Sequence, residues 1–227
     1  MKLDLLDTYN IRARLCPSII LLGPIALTIF FCFEKIYTFT SSAILICILL
    51  AFTNYIPILQ RTLNKNRTYR INYAAKFLEI DDSTIDSVSK CRYYKKLATI
   101  NDSFSLFNEP SNSSEFKECC KSAVIYLRNN TRDNHLVLEE NINYGFCKNL
   151  YSCKFIGKVI CVILVVFIAV YSFCTANTFF DIPLQNWFSF SLDVLFFVFW
   201  TFGVTDKMLD QAARRYAFTL ISAVNTL

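Results

Sequence analysis

The sequence predicts an all-α membrane protein: four transmembrane helices arranged as two hairpins, with a helical cytoplasmic insert between them. The first observation behind this class is composition, because hydrophobic residues make up 54% of the 227 residues and only four are glycine. The second is that the apolar residues are concentrated in blocks rather than spread along the chain. The third is that nothing in the chain has the pattern of a strand. Together these observations favour helices that cross a membrane.

Four apolar blocks are the candidate membrane spans, and they are residues 18–33, 41–60, 156–175 and 186–204. The first two carry no charge, and each is long enough, or nearly so, to cross ~30 Å of hydrocarbon at ~1.5 Å per residue. The first block ends at Glu34 and Lys35 without a small-residue cleavage site, so we expect it to be retained rather than removed as a signal peptide. Residues 1–60 then hold an N-terminal arm and the first hairpin, and residues 155–204 hold the second hairpin.

The distribution of Lys and Arg predicts the orientation of the chain in the membrane. Residues 61–154 carry fifteen of these bases, whereas the predicted hairpin loop at 34–40 has only Lys35 and the loop at 176–185 has none. Because cytoplasmic flanks are enriched in Lys and Arg, we expect both termini and the insert to face the cytoplasm.

Helical periodicity and breaker residues divide the insert, residues 61–154, into segments. Residues 61–80 are expected to continue the second span as a helix, and the Asn- and Ser-rich residues 101–114 are expected to form a loop. The best amphipathic helix follows, capped by Ser113 or Ser114, with one apolar face formed by Phe116, Cys120, Ala123 and Leu127. Residues 205–227 are expected to run straight on from the fourth span as a cytoplasmic C-terminal helix.

Few residues suggest catalysis or metal binding. The chain has no Gly-rich phosphate loop, no nucleophile elbow and no zinc-protease motif. Its lone histidine, His135, is not at a metal-ligand spacing from the cysteines, although a thiol enzyme or a zinc site built on them stays an alternative. We therefore expect no enzyme, no metal and no cofactor.

Asp193 is the sharpest anomaly, since a carboxylate inside a span costs about 2.5–3.5 kcal/mol on insertion scales. Asn186, Ser189 and Trp200 lie on the same helical face of the fourth span. We interpret this face as a membrane seam or pore lining. Three roles stay open at this point: helix packing around a protonated or hydrogen-bonded acid, a hydrated seam within one bundle or between protomers, and a proton-coupled transport site.

The segment TRDNHLVLEENINYGFCKNL, residues 131–150, precedes the third span. With a cytoplasmic helix ending near Asn130 and a span beginning near Phe155, we interpret it as an elbow that couples the insert to the membrane. Its acids lie among many bases, which favours ion pairing over catalysis. The predicted coupling residues are Arg132, Asp133, Glu139, Glu140, Asn141, Tyr144 and Gly145.

Three stretches carry a family resemblance, namely YNIRARLCP at 9–17, TRDNHLVLEENINYGFCKNL at 131–150 and QAARRYAFTLISA at 211–223. The chain resembles small bacterial inner-membrane proteins with Tyr-Asn-x-Arg-Ala-Arg-Leu-x-Pro before the first span and Thr-Arg-Asp, then Glu-Glu-Asn-x-x-Tyr-Gly-Phe, before the third. Cys147 departs from that pattern, because the family often has a base there. More loosely, the chain is similar to membrane effectors of antiphage defence systems such as retrons, in which a sensor restrains or triggers a small membrane protein.

The resemblance implies a membrane effector of bacterial antiphage defence that perturbs or permeabilises the inner membrane when triggered through its cytoplasmic region. The alternative is a small transporter or channel subunit with a housekeeping role. The implied partners are membrane lipids, further copies of the chain, and a regulatory complex of a reverse transcriptase with its RNA or DNA encoded nearby. Direct nucleic-acid binding is not favoured, since orientation and anionic lipids explain the basic clusters.

Overall fold

The computed structural model describes residues 8–32, 72–176 and 178–227, and within these ranges the chain is helical and contains no strand. The predicted all-α class is therefore confirmed. The second predicted span, at 41–60, and the start of the insert, at 61–71, lie outside the described residues. The four-span, two-hairpin layout accordingly stays a prediction.

Seven helices are labelled here in chain order within the described ranges: α1, Thr8–Cys32; α2, Tyr73–Phe77; α3, Ser87–Ile100; α4, Ser114–Asn130; α5, His135–Thr175; α6, Leu184–Val198; and α7, Asp206–Ser222. A π-helical turn, Ile11–Leu15, lies within α1, and another, Phe199–Gly203, extends α6. Short 3₁₀ helices occupy Asp102–Asn108, Phe179–Asp181 and Ala223–Thr226.

Two helices, α1 and α5, are long and apolar enough to cross a membrane. A third span results if α6 and α7 are counted as one helix pair bent at the break between them. Membrane-spanning character is thus supported for the described part of the chain.

The chain divides into two compact units. Unit 1 comprises Met1–Lys65 and Gly145–Met208, and unit 2 comprises Asn66–Tyr144 and Leu209–Leu227. Most of the predicted tail groups with the insert, because Leu220, Ile221 and Val224 are fully buried in the hydrophobic core of unit 2.

The amphipathic helix predicted in the insert is confirmed as α4. Its four predicted apolar side chains, Phe116, Cys120, Ala123 and Leu127, are at most 1% exposed. The Ser113 Oγ accepts a hydrogen bond from the Phe116 N–H at 3.1 Å, which satisfies one of the free donors at the start of the helix.

The expected loop at 101–114 is only partly a loop. Asp102–Asn108 form a 3₁₀ helix in which Phe104 and Phe107 are 4% and 2% exposed. The Phe104 ring packs edge-on against Phe107 and against Tyr126. Burial of two aromatic rings, each of which removes a large apolar area from water, outweighs the Asn and Ser turn signals around them.

Two expectations about helix ends are wrong. The stretch 131–150, predicted to be an elbow, contains only a short turn at 131–134, because α5 begins at His135 and continues for 41 residues. No proline interrupts this stretch, so its polar residues extend the helix instead of ending it. The tail also does not run straight on from α6: Val204 is extended, with φ −91° and ψ 96°, and the Thr205 hydroxyl accepts the Met208 N–H at 3.2 Å. Thr205 therefore starts a new helix.

Candidate functional site

The outer faces of the unit 1 helices are apolar. On α5 the exposed fractions range from 41% to 83% for a run of large side chains: Val162, Ile163, Val166, Phe167, Val170 and Phe173. On α6 the same holds for Phe188, Leu195 and Val198. A protein surrounded by water does not usually expose so continuous an apolar surface, whereas lipid accepts it.

A polar cluster lies inside this apolar shell, where α1 meets α6. The Thr28 hydroxyl donates to Asp193 Oδ2 at 3.0 Å, and the Ser189 hydroxyl donates to the Thr28 oxygen at 3.3 Å. All three side chains are at most 2% exposed. Ser189 and Asp193 lie four residues apart on α6 and so share one face of the helix. The Thr28 hydroxyl therefore joins α1 to two residues of α6, since it donates to Asp193 and accepts from Ser189.

A second polar contact connects α5 with α6. The Asn186 side-chain amide donates to the Ser172 hydroxyl at 3.0 Å, and these side chains are 4% and 6% exposed. Because Asn186 lies three residues before Ser189, it continues the same face of α6. Hydroxyl, carboxamide and carboxylate groups from three helices thus line one internal face of unit 1.

The Asp193 carboxyl is incompletely satisfied. Its Oδ1 is buried and has no hydrogen-bond partner among the residues that the structure describes. A hydrogen bond to a charged group contributes about 1.5–3 kcal/mol, comparable to the insertion cost of about 2.5–3.5 kcal/mol for the acid. The single hydrogen bond from Thr28 at most offsets the insertion cost of the acid and does not also offset the cost of burying an unpaired oxygen. Oδ1 therefore requires a proton, a water molecule or another donor.

Trp200, the fourth residue predicted for the seam, packs tightly on α5. It is fully buried in the π-helical turn, and its ring lies so close to Gly157 that a Cβ added there would be 2.3 Å from Trp200 Cε2. Nearby, the Lys154 ammonium donates to the Val204 carbonyl at 2.6 Å. Trp200 therefore fixes the spacing of α5 and α6 and is not part of the polar cluster. That cluster consists of three predicted residues, Asn186, Ser189 and Asp193, together with Thr28 and Ser172.

Sequence reasoning missed Thr28 and Ser172. Both are small hydroxyl residues inside apolar runs, and such residues are common in membrane helices, where they often hydrogen-bond their own backbone. Single hydroxyls of this kind give no signal by themselves. The i+4 spacing of Ser189 and Asp193 was the available signal, and it identified the α6 half of the cluster only.

The N-terminal motif and the glycine of the 131–150 motif lie in contact in unit 1. An added Cβ at Gly145 would be 2.9 Å from the Tyr9 hydroxyl and 3.1 Å from the Ala13 Cβ, so α1 approaches α5 closely here. The Asn149 amide donates to the Ala13 carbonyl at 2.5 Å. That carbonyl lies in the π-helical turn of α1, where the ordinary helical hydrogen-bond pattern is broken.

The other predicted coupling residues do not form one site. Arg132 and Asp133 are exposed in the turn before α5, and the Arg132 guanidinium donates to the Asn129 side chain at 3.2 Å. Glu139 and Asn141 are half-buried on α5. Glu140 is also half-buried, and its Oε2 has no partner in the described ranges.

Tyr144 and a polar cluster that the sequence did not reveal connect helices within unit 2. The Tyr144 ring stacks on Tyr216 of α7 at 5.8 Å with an interplanar angle of 6°. Tyr73 of α2 donates its hydroxyl to Asp210, which also accepts the Arg214 Nε at 2.8 Å. The Arg214 guanidinium lies over the Tyr73 ring, 4.7 Å from its centroid. Burial opposes ionisation of Asp210, but the hydrogen bonds from Tyr73 and Arg214 outweigh it and lower the pKa of this carboxyl.

The described residues offer little for metal chemistry. Across 8–32, 72–176 and 178–227, no group of three or more His, Cys, Asp or Glu side chains is placed to hold a metal ion. His135 is exposed at the first position of α5.

Comparison of the chain with family models, with curated proteins and with solved structures finds no match.

Proposed function

We propose that the protein is a membrane effector of bacterial antiphage defence, which permeabilises the inner membrane when a signal reaches its cytoplasmic region. The observation that carries the proposal is the buried cluster of Thr28, Ser189 and Asp193 inside helices with apolar outer faces. Helices that only had to remain in lipid would insert more favourably without a carboxylate. The defence context itself is supported by the motif resemblance.

The permeation step is a separation of α1, α5 and α6 that admits water to their polar faces. Asn186 and Asp193 are seven residues apart, which is ~10 Å along α6 and about a third of the hydrocarbon thickness. The hydroxyls, the carboxamide and the carboxylate then hydrogen-bond water, while the apolar outer faces keep each helix in lipid. Association of several copies of the chain extends the hydrated path.

In this proposal unit 2 receives the signal from a regulatory complex encoded nearby, one containing a reverse transcriptase with its RNA or DNA. Both termini face the cytoplasm, as the Lys and Arg distribution predicts. The Tyr73–Asp210–Arg214 cluster supports a role for unit 2 in signal reception, because it joins α2 to α7 through a few partly exposed polar contacts. Contacts of this kind contribute little individually and are readily broken by a competing partner.

The test is induced expression in bacteria with a membrane-potential dye, with and without the neighbouring genes and phage. We expect depolarisation and growth arrest on triggering, and we expect Asp193→Asn and Thr28→Val to reduce both at equal protein level. Glu109→Gln, which removes an exposed carboxylate far along the chain from the cluster, is the control and should act like the wild type.

Three outcomes would count against the proposal. Absence of depolarisation and growth arrest under every condition would exclude a permeabilising effector. Accumulation of a definable solute without depolarisation would instead identify the alternative, a small transporter or channel subunit. Full activity of Asp193→Asn would show that the polar cluster is not the permeation path.

A further inference from the structure

The direction of the hydrogen bonds around Asp193 distinguishes its two oxygens. Ser189 donates to the Thr28 oxygen, and Thr28 donates to Oδ2, so this chain of hydrogen bonds ends on one carboxylate oxygen. The other oxygen, Oδ1, is buried and has no donor among the described residues. A carboxylic acid has this asymmetry, with one oxygen that accepts and one that carries hydrogen.

The spacing of the oxygens favours a proton over a metal ion. The Thr28 and Asp193 oxygens are 3.0 Å apart, and those of Ser189 and Thr28 are 3.3 Å apart, which are direct hydrogen-bond separations. Hydrogen atoms occupy the lines between these oxygens. The side chains of the cluster are thus already joined to one another, and Asp193 Oδ1 is its buried polar atom without a partner among the described residues.

Among the described residues, the side-chain interaction that acts on the Asp193 carboxyl is the hydrogen bond from Thr28, and no lysine or arginine acts on it. Asp193 acts electrostatically on two titratable groups of these helices, the thiols of Cys32 in α1 and Cys161 in α5. Thiols are neutral or negative, so neither supplies a positive charge that would offset an ionised carboxylate. A proton on Oδ1 removes the buried charge without any rearrangement of α1 or α6.

We propose that Asp193 is a proton-binding site, that the polar faces of α1, α5 and α6 stay closed while its Oδ1 carries a proton, and that loss of this proton admits water between them. The gating part of this inference rests on the proposed function, whereas the binding site does not. Binding forms one O–H bond on Oδ1 and leaves the carboxyl neutral. Release returns the proton to water and leaves a carboxylate that must be hydrated, for which Ser172, Asn186 and Ser189 supply polar partners.

The experiment measures the proton and the leak separately on the full chain reconstituted in vesicles of bacterial-type anionic and zwitterionic phospholipid. Infrared spectroscopy at pH 6 reports the carbonyl stretch of a protonated carboxylic acid, and exposed aspartates, with pKa values near 3.9, are about 99% ionised at that pH. We expect this band in the wild type and its loss in Asp193→Asn. In Thr28→Val the band should persist and move to higher frequency, because the donor to Oδ2 is gone while the acid remains.

Leakage of a trapped anionic dye is then followed from pH 6 to pH 8. We expect the leak rate of the wild type to rise by up to about tenfold per pH unit, in proportion to the ionised fraction of the acid, while Asp193→Asn, which cannot ionise, stays low throughout.

The outcomes separate the two proposals. Identical wild-type and Asp193→Asn infrared spectra at pH 6, from chains with the same helix content, would overturn the proton-binding site. A band that is present together with a leak independent of pH would overturn the gating. A band that is present with no leak at any pH would overturn the permeabilising function and leave the proton-binding site established.

Discussion

The close packing of Trp200 on Gly157 makes Gly157→Ala a sharp test of the interface between α5 and α6. An added Cβ would lie 2.3 Å from Trp200 Cε2 and 2.5 Å from Cδ2, whereas favourable carbon contacts are at about 3.5–4.0 Å. The indole must therefore retreat by more than about 1 Å, yet it is fully buried. Such overpacking costs about 1–3 kcal/mol, and the gain in helix propensity from Gly to Ala returns about 1 kcal/mol.

We expect Gly157→Ala to lower the free energy of unfolding by up to about 2 kcal/mol, which for a chain of this size corresponds to a midpoint lower by up to about 8 °C. The measurement is thermal unfolding in detergent micelles, followed by helical circular dichroism and by tryptophan fluorescence. Gly23→Ala is the matched control, because its added Cβ would lie 3.5 Å from Phe196 Cζ, an ordinary contact. That variant should keep the midpoint or raise it slightly.

A double variant separates steric overlap from other effects. If the clash is with the indole, Trp200→Leu should cost less in the Gly157→Ala background than in the wild type, because the smaller side chain leaves room for the methyl group. Equal midpoints for Gly157→Ala and Gly23→Ala, or additive effects in the double variant, would show that the close approach of Trp200 to α5 is not a feature of the folded protein.

Three further predictions concern unit 2. Ser113→Ala removes the N-cap of α4 and should cost about 1 kcal/mol, measured as faster amide hydrogen exchange in α4, while Ser114→Ala should have little effect. Tyr73→Phe removes the hydrogen bond to Asp210 and should cost about 1 kcal/mol, with faster exchange at the start of α7; unchanged exchange would show that this bond does not hold α2. Burial raises the pKa of Cys120 from 9.0 to about 12, so its contribution to stability is complete below pH 9 and is lost as the pH rises toward 12. Between pH 8 and pH 11 this amounts to about 2–3 kcal/mol, and thermal unfolding of Cys120→Ala should show a weaker alkaline loss than the wild type.

The features that the sequence predicted well are those set by local periodicity. The face of α4 containing Phe116 and Leu127 repeats at helical spacing, so its burial follows from the pattern alone. The shared face of Ser189 and Asp193 could be predicted for the same reason. The start of α7 also had a local signal in Thr205, an N-cap residue, but the apolar run before it suggested a continuous helix.

The contacts that could not be predicted from the sequence are those between residues far apart in the chain. Thr28 and Asp193 are 165 positions apart, and nothing near either residue indicates the other. Tyr73 and Asp210 are likewise 137 positions apart. The burial of Phe104 depends on Tyr126 of another helix, which is why a polar stretch that reads locally as a loop is helical in the folded chain.

The bond from Lys154 to the Val204 carbonyl has a consequence for the proposed function, because it sets the depth at which Asp193 would lie in the membrane. In the proposed membrane arrangement the Lys154 ammonium stays near the headgroups, which would place Val204, just after α6 and its π-helical turn, at the membrane surface. Asp193 is eleven residues, or ~16 Å, from Val204, which is about half of the ~30 Å hydrocarbon layer. A unit charge at that depth experiences about half of the transmembrane voltage, or about 1.1 kcal/mol per 100 mV. In the proposed function, the membrane voltage would therefore change the ratio of ionised to protonated Asp193 by roughly sevenfold per 100 mV.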